Sequence, residues 1–540
     1  MQSQTNSVFR HVAILLIICF IAFWWRLGQI GLVDPDEPFY SQTCREMVAT
    51  GDWLTPKIYG QPQFEKPILY YWLVSASYKI LGENEFAGRL PSALPATLAV
   101  LAVYAFGFQV FNRRGAFLSA LILATGLEYC LMARLMLTDI ALAFLLAAAM
   151  FSLWFAIQKQ SGFWMFLQLL FGGLAVLAKG PIGTLIPMMG VGLYLWRTKK
   201  TLPWRTGGFA LGVLVWMLIV IPWYALMFKW YGQEFWHDFF IRDNWLRMIY
   251  AEHPANNHIL YYVGILLLGS IPWMPVVAAA IGRAWSDIQK DERSLFLWCW
   301  LITSWIFLTL AQSKLPSYIF YLFIPLALVA GVALDEILSK GFRSKTERIT
   351  VLVFALIQFA GALLAPLAKA AKPFATPAFL VAACLGIAVL FLWRGQLRAW
   401  ICATTVATLV LLGSALTLDP ARVEELSSAK PLAREMLAMR KDNEPLLGSS
   451  FLVRGVRYYT HEPVMVLAGK AQPFWASHPL PVVVWKNDKL DEFLRENKTA
   501  LCAIRKSEWQ ILINHKVFEA KDGFLQLGDN ILVRAHARQD

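Results

Sequence analysis

Long apolar segments separated by short polar ones repeat along about the first 420 residues of the chain. A helix needs about 20 mainly apolar residues to cross the hydrocarbon core of a membrane. The apolar segment at 67–81 is shorter and ends at Lys79, so we predict that it lies at the membrane interface. Thirteen spanning helices are predicted, near residues 11–30, 90–111, 115–133, 138–157, 163–179, 181–197, 207–227, 259–281, 294–312, 317–338, 349–367, 376–394 and 399–417.

The pattern changes after Asp419, where charged residues become frequent and the apolar runs shorten to the length of strands. We predict strands at LLGSSFLV, PVMVLAG, LPVVVW and TALCAIR, with helices near 490–497 and 506–515 between strands. The last two runs, FLQL and ILVRA, flank a glycine-aspartate-asparagine turn at 528–530 that favours a hairpin. This part predicts a small α/β domain of roughly 120 residues, and it has no glycine fingerprint for nucleotides.

Composition supports a membrane protein, because 58% of the 540 residues are hydrophobic and only 16% are charged. Soluble domains carry about 25% charged residues. The net charge of +13 does not indicate nucleic acid, since the basic residues sit in short clusters between apolar runs. Sixteen of them fall in predicted inner loops and five in short outer loops, which predicts a cytoplasmic N-terminus and an outward-facing C-terminal region.

With this topology, several ionisable residues collect on the outer side of the membrane. Ionisable residues at a membrane boundary are costly, so they are functional candidates. Carboxylates combined with lysines and an arginine suit a substrate that carries phosphate, and a donor attached to a lipid phosphate would need no nucleotide in the outer compartment. The candidates are Asp36, Glu37, Glu65, Lys66, Asp139, Lys179, Lys314, Tyr318 and, from the loop at 228–258, His237, Asp243, Asn244 and Arg247.

Each candidate also has a structural interpretation. Asp36 and Glu37 could form the polar start of a helix, because acids favour helix N-termini. Lys66 could extend from an interfacial helix towards water. Asp139 could pair with nearby Arg134.

Two further polar features also have alternative interpretations. Lys314 could be an ordinary loop lysine. The E-H-x-x-x-x-H pattern at 252–258 lacks the histidine spacing of a helical zinc motif, so no metal site is predicted there.

A series of short motifs links these candidates: D-E-x-x-Y, R-E-M, G-D-W, F-E-K-P, L-x-D at 137–139, K-G at 179 and K-L-P-x-Y at 314. In this order and spacing the chain resembles the GT-C superfamily of transferases that use polyprenyl-phosphate sugars. It is most similar to the aminoarabinose (4-amino-4-deoxy-L-arabinose) lipid A transferase branch, which is related to protein O-mannosyltransferases. The resemblance extends over nearly the whole chain.

The resemblance implies catalytic roles for acidic residues on the outer side. Asp36 matches the catalytic aspartate of the first outer loop, and Glu37 and Tyr40 flank it as in the family. Asp139 matches a second acidic residue near the donor sugar. One departure concerns Phe39, which stands where the family commonly has an arginine, and it leaves the sugar and the acceptor open.

The resemblance also implies a set of donor-binding residues. Glu65 and Lys66 match the F-E-K-P pair, whose lysine meets the lipid phosphate. Further positions on the phosphate side, or otherwise assigned to the donor, are Lys179, Arg247, Lys314, Tyr318 and Tyr40.

The expected fold is therefore a polytopic α-helical membrane protein of GT-C type, with about 13 transmembrane helices and a small C-terminal α/β periplasmic domain. We expect a transmembrane catalytic domain at 1–418, with outer-face loops at 31–89 and 228–258, and a periplasmic domain at 419–540.

The expected function is transfer of a sugar, 4-amino-4-deoxy-L-arabinose in the first place, from undecaprenyl phosphate to lipid A at the outer leaflet of a bacterial inner membrane. The alternatives are a related transferase acting on protein, O-antigen or another glycan, and a polyprenyl-lipid transporter. No cofactor is required by this interpretation, although a divalent metal at Asp36 and Glu37 remains open. The expected partners are the donor, the acceptor and membrane lipids, without nucleic acid, and a monomer is expected.

Overall fold

The computed structural model describes residues 2–368, 372–441, 443–469, 480–485, 489–514 and 523–537. The chain divides into two compact units. The first, which we call the helical unit, comprises Met1–Trp25, Glu65–Tyr70 and Pro91–Ala415. The second, which we call the mixed unit, comprises Arg26–Phe64, Tyr71–Leu90 and Leu416–Asp540. The assignment of a catalytic domain to 1–418 and of a periplasmic domain to 419–540 stays a prediction.

Helices make up most of the described chain. Those up to residue 200 are Gln2–Cys19, Phe20–Trp24, Asp36–Thr50, Leu69–Leu81, Glu85–Val110, Arg113–Thr125, Leu127–Ala133, Thr138–Lys159, Gly162–Lys179 and Ile182–Thr198. From there to the end of the helical unit they are Gly207–Phe235, Trp236–Leu246, Arg247–Ile249, Pro254–Asn256, Tyr261–Gly269, Met274–Lys290, Glu292–Leu310, Pro316–Leu322, Phe323–Lys340, Lys345–Leu364, Ala365–Leu367, Lys372–Phe374, Ala375–Trp393 and Leu397–Leu418. The remaining helices of the mixed unit are Pro420–Ser427, Lys430–Met439, Val453–Thr460, Lys489–Asn497 and Lys506–Asn514.

Within the described residues, ten helical segments are long and apolar enough to cross a membrane. The number becomes eleven if Arg113–Thr125 and Leu127–Ala133, which meet at an angle of 62°, form one bent span. These segments confirm the predicted polytopic helical membrane protein.

Two of the thirteen predicted spans differ from the helices observed. The segment at 259–281 is divided into Tyr261–Gly269 and Met274–Lys290. The interruption contains Pro272, which has no backbone N–H to donate and therefore breaks helical hydrogen bonding. The segment at 115–133 is divided into Arg113–Thr125 and Leu127–Ala133, which meet at an angle of 62°.

The apolar segment at 67–81 forms a short helix, and its position at the membrane interface stays a prediction. Its helix, Leu69–Leu81, has 13 residues and is too short to cross the membrane core. It is followed by Glu85–Val110, which does have the length of a span.

The mixed unit contains eight strands within the described residues. The strands are Lys57–Ile58 (β1), Gln61–Pro62 (β2), Leu446–Ser449 (β3), Val464–Ala468 (β4), Val482–Val484 (β5), Thr499–Arg505 (β6), Leu525–Leu527 (β7) and Asn530–His536 (β8). They form a two-stranded antiparallel pair, β1 with β2, and a six-stranded sheet with the order β5-β4-β3-β6-β8-β7. In the larger sheet, β3 is parallel to β4 and β6, β4 is parallel to β5, and β8 is antiparallel to β6 and β7.

The sheet confirms the predicted C-terminal α/β region and its last hairpin. The LLGSSFLV run differs from its prediction, because only Leu446–Ser449 is a strand and the helix Val453–Thr460 follows almost at once. Gly448 explains the close approach of that helix, since a side chain there would lie 2.9 Å from the Cα atom of Val453.

Apolar residues cover both faces of the larger sheet. Leu501 and Ala503 of β6 pack in one cluster with helix residues such as Leu432 and Met436. The alternate residues of β6 pack in a second cluster on the other face, which includes Leu494 of the helix Lys489–Asn497. Because side chains of a strand alternate between faces, this arrangement requires the nearly continuous apolar run TALCAI.

Candidate functional site

A cavity of about 360 Å³ lies within the helical unit. It combines polar groups with aromatic and aliphatic walls, which is the usual character of a binding site for an organic ligand. Its polar lining includes Glu65, Lys66, Lys179, Asp243, Asn244, Arg247, Ser313 and Tyr318, and its apolar lining includes Leu142, Leu185, Phe239, Phe240, Trp245, Phe307 and Leu308.

Lys179 enters the cavity from the C-terminal end of the helix Gly162–Lys179. Gly180 ends this helix with a φ of 87°, a conformation that glycine adopts without a steric penalty. A side chain at Gly180 would lie 3.0 Å from Cζ of Phe239 in the cavity wall. The K-G motif therefore allows the helix end and the wall to approach closely.

An ion pair joins Lys179 to Asp139. Asp139 lies in the first turn of the helix Thr138–Lys159, and its Oδ1 accepts a hydrogen bond from Nζ of Lys179. Nζ of Lys179 also lies 5.2 Å from the centre of the Tyr318 ring. The structure thus brings together two predicted site residues from successive helices, and each of them compensates the burial of the other.

Arg247 is held from several sides. Its Nη1 donates a hydrogen bond to the hydroxyl of Tyr318 at 3.0 Å, and its Nε lies 3.5 Å from a carboxylate oxygen of Glu252. Its backbone carbonyl accepts a hydrogen bond from the backbone N–H of Ser313 at 3.0 Å. These contacts fix the guanidinium at the cavity wall, where it could bind an anionic group in a defined orientation.

Lys66 is the cation of the F-E-K-P motif in the cavity. Its Nζ donates a hydrogen bond to the backbone carbonyl of Glu65 at 2.8 Å. Nζ also lies 3.7 Å from Oδ2 of Asp243, beyond ordinary hydrogen-bond length. The lysine side chain is flexible, so it can turn towards an incoming anion.

Lys314 has a different environment from the other predicted donor residues. It is 2% exposed, and its Nζ donates hydrogen bonds to Oδ1 of Asn257 at 2.7 Å and to the carbonyl of Ala311 at 2.6 Å. Burial lowers the pKa of the Lys314 ammonium. Among the described residues that line the cavity, its neighbour Ser313 is present and Lys314 is not.

The first candidates of the chain, Asp36, Glu37 and Tyr40, belong to the mixed unit. Asp36 is exposed in the first turn of the helix Asp36–Thr50. Tyr40 is buried, with its ring centre 5.7 Å from that of Tyr71. Burial raises the pKa of the preceding Asp34 well above its ordinary value, which favours a neutral carboxyl there.

Glu37 is 1% exposed and forms an ion pair with Arg89. Arg89 Nε donates to one carboxylate oxygen at 2.9 Å and Nη2 donates to the other at 2.6 Å. Arg89 also donates to the carbonyls of Leu27, Ile30 and Gly31 at 2.8 to 2.9 Å. All five guanidinium N–H groups therefore have acceptors, and they fix the segment that leads to Asp36.

The position of the missing arginine, Phe39, has a cation beside it. Phe39 is 4% exposed, and the guanidinium carbon of Arg454 lies 4.6 Å from the centre of its ring. Both residues belong to the mixed unit. The motif lacks an arginine at position 39, but Arg454, which is distant in the sequence, places a positive charge beside that position.

The sequence interpretation missed Arg89 as a structural residue and the aromatic wall formed by Phe239 and Phe240. Arg89 could have been found, because an arginine at the edge of an apolar helix is costly unless it is paired. The aromatic residues have no comparable signal, since an interfacial helix also contains many of them. Asp243 was a candidate without an assigned role, and the structure places it in the cavity.

Comparison with known proteins agrees with these features. Residues 65–225 match the family described as dolichyl-phosphate-mannose-protein mannosyltransferase. An undecaprenyl phosphate-α-4-amino-4-deoxy-L-arabinose arabinosyl transferase of Erwinia tasmaniensis is 32% identical over 325 residues, which cover 58% of each chain. The chain therefore spans a little under three fifths of the length of this relative.

A longer match and a solved structure extend the similarity. An enzyme of the same name from Pseudomonas aeruginosa is 30% identical over 416 residues, which cover 74% of each chain. The fold matches that of ArnT from Cupriavidus metallidurans bound to undecaprenyl phosphate, with a TM-score of 0.75, 23% identity and 98% of each chain covered. The chain belongs to the family of undecaprenyl phosphate-aminoarabinose arabinosyl transferases.

Proposed function

We propose that this protein transfers 4-amino-4-deoxy-L-arabinose from undecaprenyl phosphate to lipid A at the outer leaflet of a bacterial inner membrane. The observation that carries the proposal is the cavity of the helical unit, where Lys66, Lys179 and Arg247 stand among aromatic and aliphatic side chains. Cations of this kind bind a phosphate, and apolar walls suit a polyprenyl chain. The names of the relatives supply the sugar and the lipid carrier.

In the proposed reaction, the bond between the anomeric carbon and the donor phosphate oxygen breaks as an acceptor oxygen bonds to that carbon. Negative charge grows on the departing undecaprenyl phosphate. Lys66 and Arg247 stabilise this charge, and Lys179, held by Asp139, adds to the positive potential. Preorganised cations of this kind accelerate group transfer because they need little rearrangement during the reaction.

The acceptor determines the role of Asp36. A phosphate of lipid A is already an anionic nucleophile, so no base is needed and Asp36 stabilises positive charge on the sugar. A hydroxyl acceptor loses its proton as it attacks, and Asp36 then takes that proton as a general base. Both roles require an ionised carboxylate, and Asp36 is exposed to water.

The proposal includes an orientation in the membrane. The excess of lysine and arginine in alternate loops supports a cytoplasmic N-terminus and a periplasmic C-terminal region. Under this orientation the F-E-K-P, K-G and K-L-P-x-Y motifs all face the periplasm, where the lipid-linked donor is used.

The test is mass spectrometry of lipid A and of undecaprenyl-phosphate sugars from cells with and without the gene. We expect loss of aminoarabinose from lipid A and accumulation of the lipid-linked donor when the gene is absent. Loss of a sugar from protein or O-antigen, with lipid A unchanged, would replace the proposed acceptor. Unchanged lipid A and unchanged donor levels would contradict transfer altogether.

Asp36→Asn tests the catalytic residue in the purified protein. We expect turnover to fall by at least about 100-fold, since one positioned carboxylate commonly contributes that much. Binding of undecaprenyl phosphate should change little, and higher pH should not restore turnover. The control is the substitution Asp52→Asn. Asp52 also belongs to the mixed unit and forms an ion pair with Lys57, and this variant should retain activity. Normal turnover of Asp36→Asn would remove Asp36 from the mechanism.

A further inference from the structure

Asp243 is a buried carboxylate that the proposed phosphate chemistry does not use. The helix Trp236–Leu246 carries it into the cavity, and its side chain is only 4% exposed. Its Oδ1 lies 3.3 Å from Nε of Arg242 and 3.8 Å from Nη2 of Arg247. This oxygen therefore faces two guanidinium groups.

The second oxygen of Asp243 is less well compensated. Oδ2 is buried and has no hydrogen-bond partner among the residues that the structure describes. Nζ of Lys66 faces this oxygen at 3.7 Å, and it donates a hydrogen bond to the carbonyl of Glu65. Burying an ionised oxygen without a hydrogen bond is unfavourable, so this arrangement indicates a missing donor.

Other carboxylates near the cavity have partners closer than the 3.7 Å that separates Oδ2 of Asp243 from Nζ of Lys66. Asp139 accepts a hydrogen bond from Lys179. Glu252 lies 3.5 Å from Arg247. Asp238, on the same helix as Asp243, lies 3.2 Å from Arg242. Asp243 is distinguished by an oxygen with no hydrogen-bond partner in the described part of the chain, beside a cavity large enough for a sugar phosphate.

Binding of a phosphate would leave the Asp243 carboxylate with less positive charge beside it. A lysine ammonium is a mobile point charge, so Lys66 is free to turn from Asp243 towards the donor phosphate. Oδ2 of Asp243 would then no longer have the Lys66 ammonium beside it. A positive group on the donor itself would restore the balance. The sugar named for the relatives carries a 4-amino group, and aliphatic amines are protonated near neutral pH.

We propose that Asp243 is the subsite for the amino group of the donor sugar. Its Oδ2 accepts a hydrogen bond from the sugar ammonium, while Arg242 and Arg247 hold Oδ1 and so orient the carboxylate. Asp243 thereby selects amino sugars over neutral sugars of the same size. This inference rests on the proposed transfer from a lipid-linked donor and adds the residue that reads the charge of the sugar.

The experiment compares two donors with the full-length protein in lipid nanodiscs. One donor is undecaprenyl phosphate carrying 4-amino-4-deoxy-L-arabinose, and the other carries L-arabinose, with a hydroxyl in place of the amine. We expect the wild-type kcat/KM to favour the amino donor by about 100-fold, since a buried carboxylate without its ammonium partner is strongly unfavourable. In Asp243→Asn this preference should fall to less than about 5-fold, mainly through loss with the amino donor.

The control variant is Asp238→Asn, which removes the other aspartate beside Arg242 but does not change a described cavity-lining residue. It should keep the wild-type preference. Binding of undecaprenyl phosphate alone shows whether Asp243→Asn is folded, and this binding should be retained.

A second measurement uses the wild-type protein. As the pH rises through the pKa of the sugar amine, the preference for the amino donor should decline towards that of the neutral donor. The preference is the ratio of kcat/KM for the two donors. Lys66, Arg242 and Arg247, which face Asp243, act on both donors, so their own response to pH cancels in this ratio.

The outcomes separate the two proposals. An unchanged preference in Asp243→Asn, or equal losses with both donors, would overturn the subsite assignment while leaving transfer intact. If a poorly folded variant prevents that comparison, a wild-type preference independent of pH would overturn it. If the wild-type protein transfers from neither donor, the proposed function fails, and the subsite assignment fails with it.

Discussion

Two buried ionic clusters in this protein differ in how completely their polar groups are paired. In the mixed unit, Arg89 uses all five N–H groups on Glu37 and on three backbone carbonyls. In the helical unit, Lys66 and Asp243 are 3.7 Å apart, and one oxygen of Asp243 has no hydrogen-bond partner among the described residues. Both clusters are largely shielded from water, and the second lines a cavity of about 360 Å³.

The difference indicates what each cluster is for. A fully paired buried group stabilises one arrangement of the chain, because breaking it leaves a charge without compensation. An incompletely paired cluster beside a cavity is stabilised further when a ligand supplies the missing partners. We therefore expect substitutions in the first cluster to change stability and substitutions in the second to change ligand binding.

The largest expected effect is on stability, in Arg89→Leu. Removing the guanidinium takes the cation away from the buried Glu37 carboxylate and removes five donated hydrogen bonds, which should lower the free energy of unfolding by about 3–5 kcal/mol. Thermal unfolding in detergent measures the change. The matched control is Arg422→Leu, which removes an exposed pair with Glu425 and should cost about 0–1 kcal/mol. Equal losses in the two variants would contradict the structural role of Arg89.

An intermediate effect is expected on ligand affinity, in Lys66→Ala. Loss of a charge-assisted hydrogen bond costs about 1.5–3 kcal/mol, so the Kd for undecaprenyl phosphate should rise about 10- to 100-fold. Unfolding should change little, because the carboxylate that Lys66 faces, that of Asp243, lies 3.7 Å from Nζ, beyond ordinary hydrogen-bond length. Isothermal titration with the purified protein measures the Kd.

The control for this substitution is Lys229→Ala, which removes an exposed lysine of the same unit. Its Kd for undecaprenyl phosphate should equal that of the wild type. An unchanged Kd in Lys66→Ala would remove Lys66 from the phosphate site, and a large loss of stability would place it with Arg89 instead.

The smallest expected effect is in Tyr318→Phe. The substitution keeps the ring beside Lys179 and removes the hydroxyl that accepts a hydrogen bond from Arg247 at 3.0 Å. A typical hydrogen bond contributes about 0.5–1.5 kcal/mol, so the Kd for undecaprenyl phosphate should rise about 3- to 10-fold. Tyr250→Phe, at an exposed tyrosine, should leave the Kd unchanged. A loss as large as that of Lys66→Ala would mean that Tyr318 contacts the phosphate itself.

Much of the fold could be predicted from local pattern. The long apolar helices and most strands of the mixed unit agree with the prediction, because burial in lipid or in a sheet imposes a regular spacing on apolar residues. The exceptions occur where a local event interrupts the pattern. Pro272 divides one predicted span, and a predicted strand ends at Ser449, where a turn leads into the helix Val453–Thr460.

The candidate site was only partly predictable. The motifs indicated Lys66, Lys179, Arg247 and Tyr318, and the structure gathers these residues around one cavity. The motifs did not distinguish them from Lys314, whose ammonium donates hydrogen bonds to Asn257 and to a backbone carbonyl. The reason is that motifs record residue types along the chain, whereas partners depend on the distances between elements.

The sequence by itself determined the class of the protein: its apolar spans, its charge distribution and the motifs of its family follow from residue types at short range. Only the tertiary structure decided which charges are paired. It assigned Glu37 to Arg89, placed Arg454 beside Phe39 and left one oxygen of Asp243 without a hydrogen bond from any residue that the structure describes. Electrostatic compensation acts across space between residues far apart in the chain, so it cannot be read from local sequence.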